Sequence, residues 1–203
     1  MADEQPRTTL YVLVPPSPLF AAHWSLFIPD SKGYDMISKP HEESTVGRRV
    51  HVSGDRLNGF ALELIREYDV SKHRRVGSRM FPIGSIPATH IQPDASKAEE
   101  DTTRRDSCKD DEDGGGLVDN EPRDVFERTC VQLEAPGPSL NNVSNNQKPA
   151  TGKRSQIEGR DCQWWVRQVV QELTTAGILE SLLQADGQRS KNPNELVAQL
   201  PVH

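Results

Sequence analysis

The segment Ala22-His-Trp-Ser-Leu-Phe-Ile28 decides the fold class. Side chains of an extended chain alternate between two faces. His23, Ser25 and Phe27 therefore share one face, while Trp24, Leu26 and Ile28 share the other. One side is apolar enough to face a core, and the other carries a titratable ring. The segment reads as a half-polar strand of an antiparallel sheet.

The neighbouring segments repeat the pattern. Leu10-Tyr-Val-Leu-Val14 is β-branched and aromatic, and Pro15, Pro16 and Pro18 end it. After a polar loop around Gly33, Arg48-Arg-Val-His-Val-Ser53 reads as a third strand, stopped by Gly54-Asp55. Phe60, Leu62 and Leu64 alternate through a fourth at residues 58–68, and residues 79–86 read as a fifth. Short strands joined by polar turns predict an antiparallel meander rather than a crossover sheet. With the helices below, the fold class is α+β: a small antiparallel sheet packed on a helix that carries Cys162.

Composition changes beyond the fifth strand. The stretch from Asp94 to Asp124 holds 12 acidic and 5 basic residues, a local net of -7 against -6 for all 203 residues. The remainder is thus near neutral, with no basic stripe to attract nucleic acid. Residues 93–123 read as an acidic disordered insert, too polar to offset their ordering entropy. The insert separates a β-meander half, residues 1–92, from a helical half, residues 124–203, which itself contains a flexible linker at 139–155. No apolar run approaches the roughly 20 residues that a membrane helix needs. The start of the chain reads as no secretory leader. Three cysteines, Cys108, Cys130 and Cys162, form no disulfide framework, so a cytoplasmic, reducing location is expected.

In the helical half, Val125, Phe126, Cys130 and Leu133 mark a short helix, with Cys130 in its core stripe. A stronger helix starts with Asp161 as N-cap and stops near Gly177. Its positions 162, 166, 169 and 173 lie on one face. Cys162 occupies the first turn, where unpaired amides and the helix dipole favour negative charge. That position predicts an easily ionised thiol and a backbone amide able to bind an oxyanion.

The sequence His23-Trp24-Ser25-Leu26-Phe27-Ile28 resembles the His-Trp strand of the lecithin:retinol acyltransferase family and its phospholipase/acyltransferase relatives. Val50-His51-Val52 is similar to that family's second histidine strand, and Asp161-Cys162-Gln163-Trp164-Trp165 to its nucleophile helix. The order His, His, Cys resembles the circularly permuted NlpC-type, papain-like arrangement. The resemblance implies Cys162 as nucleophile, His23 as general base and His51 as the residue that orients His23. It also implies that no cofactor is used and that acyl esters, thioesters or amides are the substrates. Asp161 stands where the family has Asn, and Gln163-Trp164 where it has Glu-His. Trp24 and Trp164 are the candidate substrate-binding residues.

Other chemistries lack their motifs. Six histidines occur without a Cys-x-x-Cys or His-x-x-x-His pair, so no metal site is expected. Glycine-rich phosphate loops are missing, and the acidic run 110–113 lacks calcium-loop spacing. Three functions stay open: a thiol hydrolase or acyltransferase, an interaction module that docks a protein partner through the acidic insert, and a binder of a small apolar molecule.

Overall fold

The computed structural model describes residues 6–17, 19, 21–30, 45–73, 78–92, 116–119, 121–139, 160–183 and 187–202. The Gly33 loop, Cys108, most of the acidic insert and most of the 139–155 linker lie outside the described residues.

Among the described residues, six strands build one antiparallel sheet: β1 (Arg7–Val14), β2 (Ser25–Pro29), β3 (Val46–Asp55), β4 (Gly59–Asp69), β5 (Arg79–Pro87) and β6 (Leu117–Asp119). Their spatial order is β5-β1-β2-β3-β4-β6. The meander holds for β1 to β4. It breaks at β5, which returns across the sheet to pair with β1, from Arg7 opposite Pro87 to Val14 opposite Arg79. That return makes β1, the most β-prone segment, an interior strand flanked by β5 and β2. A second departure lies within residues 93–123. Leu117–Asp119 is not loop but the edge strand β6, paired with Leu64–Arg66 of β4.

Among the described residues, the α-helices are α1 (Val70–His73), α2 (Val125–Gln132), α3 (Cys162–Thr175) and α4 (Pro193–Ala198). Asp161 caps α3 by accepting the amides of Gln163 and Trp164. The helix ends in a Schellman turn: the Ile178 amide reaches Leu173 O and the Gly177 amide reaches Thr174 O. Gly177 sits there at φ +69°, where a Cβ would be strained. Beyond it, the amides and carbonyls of Ser85 and Glu180 pair reciprocally. Gly84 permits this approach, since a Cβ on it would stand 2.6 Å from Leu179 Cδ1.

The apolar faces of the sheet and of α3 meet in one core. Leu10, Val12, Leu26, Val50, Val52 and Leu64 face Trp165, Val166, Val169, Val170 and Leu173. Alternation sends the intervening residues outward, where Tyr11, Leu13, Phe27, Ile65 and Tyr68 form a smaller cluster. On β4 the register slips between Gly47 and Arg49 of its partner, and Glu67 takes φ +54°. Alternation from Leu64 turns Arg66 toward the helices, and the bulge at Glu67 brings Tyr68 back to the outer face beside Ile65.

A buried ionic network fastens α2 to the sheet. Arg48 Nη1 donates to Asp124 Oδ2 at 2.5 Å and to Glu127 Oε1 at 2.8 Å. Arg66 donates to both Glu127 oxygens, at 2.6 and 2.8 Å, and to Asp119 Oδ2 at 2.9 Å. The Gln92 amide donates to Asp124 Oδ2 as well. The residues just before and just after the undescribed stretch 93–115 are thus clamped to one cluster of charges.

Candidate functional site

β2 and β3 run antiparallel with Leu26 opposite Val50, and this pairing carries His23 and His51 onto the outer face together. Nε2 of His23 lies 2.9 Å from Nδ1 of His51. The rings meet edge to face, with centroids 5.1 Å apart. His51 is 3% exposed, whereas His23, at the mouth of β2, is half-buried.

The β3–β4 hairpin adds a residue that the sequence reading did not single out. Glu63 stands opposite His51 in the register. Its Oε2 lies 3.0 Å from His51 Nε2, and its Oε1 accepts from Ser53 Oγ at 2.6 Å. The approach of His51 Nε2 is off the ideal hydrogen-bond line, yet a carboxylate at that distance still favours a proton on Nε2. His51 lowers the Glu63 carboxyl to about 2, against the cost of burial and with help from Ser53 and the charge of Arg49. Arg49 itself lies over the Tyr68 ring and donates to Ser25 Oγ.

Helix α3 approaches from the other side of the sheet, and its first residue reaches the segment before β2. Sγ of Cys162 lies 4.0 Å from Ala22 O, and the Trp24 amide also stabilises the sulfur. Cys162 is thus held against the backbone on both sides of His23. Both of these contacts of Sγ are with backbone atoms. Gln163 secures the junction by donating to Ala22 O at 2.9 Å and Val202 O at 3.0 Å. The Ala22 amide donates to Val202 O, and Trp24 Nε1 to Pro201 O.

The expectation of an easily ionised thiol is overturned. Burial pushes the Cys162 thiol up, and the Asp161 carboxylate adds to the rise. The amides of Trp24, Gln163 and Cys162 oppose these effects without cancelling them. Asp161 also takes the amides of Gln163 and Trp164 and pairs with Arg56 from the β3–β4 turn. It therefore shares the Gln163 amide with the sulfur and takes the Trp164 amide for its own carboxylate. Cys162 is 8% exposed, while Cys130 is fully buried and its thiol is pushed well up by burial and the nearby Glu127 and Asp124 charges.

The two candidate substrate-binding tryptophans part company. Trp24 is 0% exposed, a core residue with the Arg167 guanidinium over its ring, so it lines no open cleft. Trp164 is half-buried beside the helix start, with Arg160 stacked on it at 4.8 Å. Among the described residues, no group of three His, Cys, Asp or Glu side chains could hold a metal ion. No helix of the described residues is long and apolar enough to cross a membrane.

These features define an α+β protein in which a helix-start cysteine rests against the backbone of Ala22 and Trp24, on either side of one member of a histidine pair. The model of the Family of unknown function (DUF6540) matches residues 10–180, and the chain belongs to this family. No curated protein and no solved structure matches it.

Proposed function

We propose that the chain is a cysteine-dependent hydrolase or acyltransferase of circularly permuted papain-like organisation. The observation that carries this reading is the 2.9 Å link between His23 and His51 next to a helix-start thiol that contacts the flanking residues Ala22 and Trp24. Because the thiol is raised rather than lowered, the mechanism is general-base catalysis and not a resting thiolate. His23 takes the Cys162 proton as Sγ attacks the acyl carbonyl. The carbonyl electrons move onto oxygen, beside the amide of Cys162 at the helix start. Their return breaks the bond to the leaving group, which receives the proton from His23. Water or an acyl acceptor then attacks the thioester, gives its proton to His23, and releases the acyl group as the thiol re-forms. Substrates are esters, thioesters or amides, no cofactor is required, and the half-buried Trp164 is the contact for the acyl chain.

The low exposure of Cys162 favours a second reading, a non-catalytic binding or docking module of the same fold. The two separate in one experiment. The intact chain is incubated with an acyl thioester or p-nitrophenyl ester, quenched in acid and digested for mass spectrometry. An acyl adduct on Cys162 that disappears in the His23→Ala variant supports the enzyme. Without any adduct on Cys162, the binding module stands.

A further inference from the structure

We propose that Glu63 is a positioning residue of this thiol site: through His51 it fixes His23 in the tautomer whose Nδ1 accepts the cysteine proton. The inference rests on the catalytic reading above and adds to it the end of the relay.

A neutral imidazole has one N–H and one lone pair. The Glu63 carboxylate 3.0 Å from His51 Nε2 places the proton on that nitrogen. Nδ1 of His51 is then the lone-pair nitrogen, and at 2.9 Å from His23 Nε2 it accepts a hydrogen bond from it. His23 consequently carries its proton on Nε2 and its lone pair on Nδ1. Each link follows from the one before, and the charge at Glu63 starts the chain. When His23 takes up a proton, the imidazolium is stabilised through neutral His51 by the same carboxylate.

The carboxylate is itself held. Ser53 Oγ donates to its second oxygen at 2.6 Å, so the Glu63 side chain cannot swing away from His51 without breaking that bond. The Arg49 charge lies close enough to favour the ionised form. His51, 3% exposed, has little access to water that could replace either partner. All of these groups sit on β3 and β4, in a rigid hairpin, which is the better support for a site that depends on orientation.

The test uses the full chain with 15N-labelled histidine. Long-range 1H–15N spectra at a pH where both histidines are neutral report which ring nitrogen carries each proton. The wild type is expected to show the Nε2–H form at both His23 and His51. Glu63→Gln is expected to move both toward a mixture, and Glu63→Asp to restore the wild-type pattern. In parallel, alkylation of Cys162 should slow about tenfold or more in Glu63→Gln and recover in Glu63→Asp, as for loss of a group that orients a general base. Unchanged tautomers in Glu63→Gln overturn the proposal. A wild-type Cys162 whose alkylation is no faster than in His23→Ala overturns instead the catalytic reading beneath it. The spectra do not depend on that rate, so the two failures are distinguishable.

Discussion

Nε2 of His23 and Nδ1 of His51 lie 2.9 Å apart, although 28 residues separate them in the chain. The contact is a product of sheet register. With Leu26 paired to Val50, a one-residue slip would turn His51 toward the helix core and break the pair. Substituting His51 by Asn removes the ring that faces His23 while keeping a polar group there. Cys162 alkylation at pH 7 is expected to fall by about tenfold or more, within the range that general-base assistance contributes. Timed mass-spectrometric labelling checks this, and an unchanged rate removes His51 from the site.

Asp161 raises the Cys162 thiol through its charge while capping α3 through its oxygens. Asn caps a helix about as well as Asp, so Asp161→Asn separates the two effects. The pH midpoint of Cys162 alkylation is expected to move down, because a negative charge that disfavours the thiolate is gone. A midpoint that stays or rises counts against this assignment.

Glu127 is 1% exposed and receives hydrogen bonds from Arg48, Arg66 and the Arg123 amide. Burial alone would raise its carboxyl; Arg66, the Arg123 amide and Arg48 outweigh that and hold it at about 2. A carboxyl lowered on folding contributes stability above its ordinary value of 4.5, and that contribution is lost as pH falls toward 2. Denaturant midpoints compared at pH 5 and pH 2.5 should show a smaller acid loss in Glu127→Gln than in the wild type. Glu127→Ala leaves two buried guanidiniums short of a partner and should cost about 3–5 kcal/mol near neutrality.

Gln163 joins the segment before β2 to the chain near Val202 by two hydrogen bonds. Replacing it by Ala should cost about 1–3 kcal/mol in urea unfolding, the sum for two modest bonds. It should also slow Cys162 alkylation, since Ala22 is the residue against which the sulfur rests.

Much of the sheet was legible because each strand carried its own signal. The alternation in residues 22–28, the proline stop after Val14 and the Asp161 cap all act over a few residues. His23 and His51 were singled out in the same local way, and the sheet sets them 2.9 Å apart. What escaped were relations between distant residues. Leu117 and Val118 look like part of an acidic run, and only pairing with β4 makes them a strand. Arg48 and Arg66 read as ordinary polar strand positions, since nothing local tells that Glu127 waits behind them. The return of β5 to β1 was hidden because adjacency in the chain favours a continued meander. Glu63 did leave a trace. Reflecting His51 across the Asp55–Gly59 turn lands on Glu63, the residue opposite it in the hairpin. Trp24 was misassigned because a tryptophan beside a site histidine suits a cleft and a core equally, and only its burial separates them.

If Cys162 is the nucleophile, the histidine pair activates it. Iodoacetamide labelling of the intact chain from pH 5 to 9, mapped among Cys162, Cys130 and Cys108, tests this most directly. At pH 7 Cys162 is expected to label faster than the fully buried Cys130, and His23→Ala to slow it by about tenfold or more. A Cys162 that stays inert across the range, or that reacts equally well without His23, contradicts it.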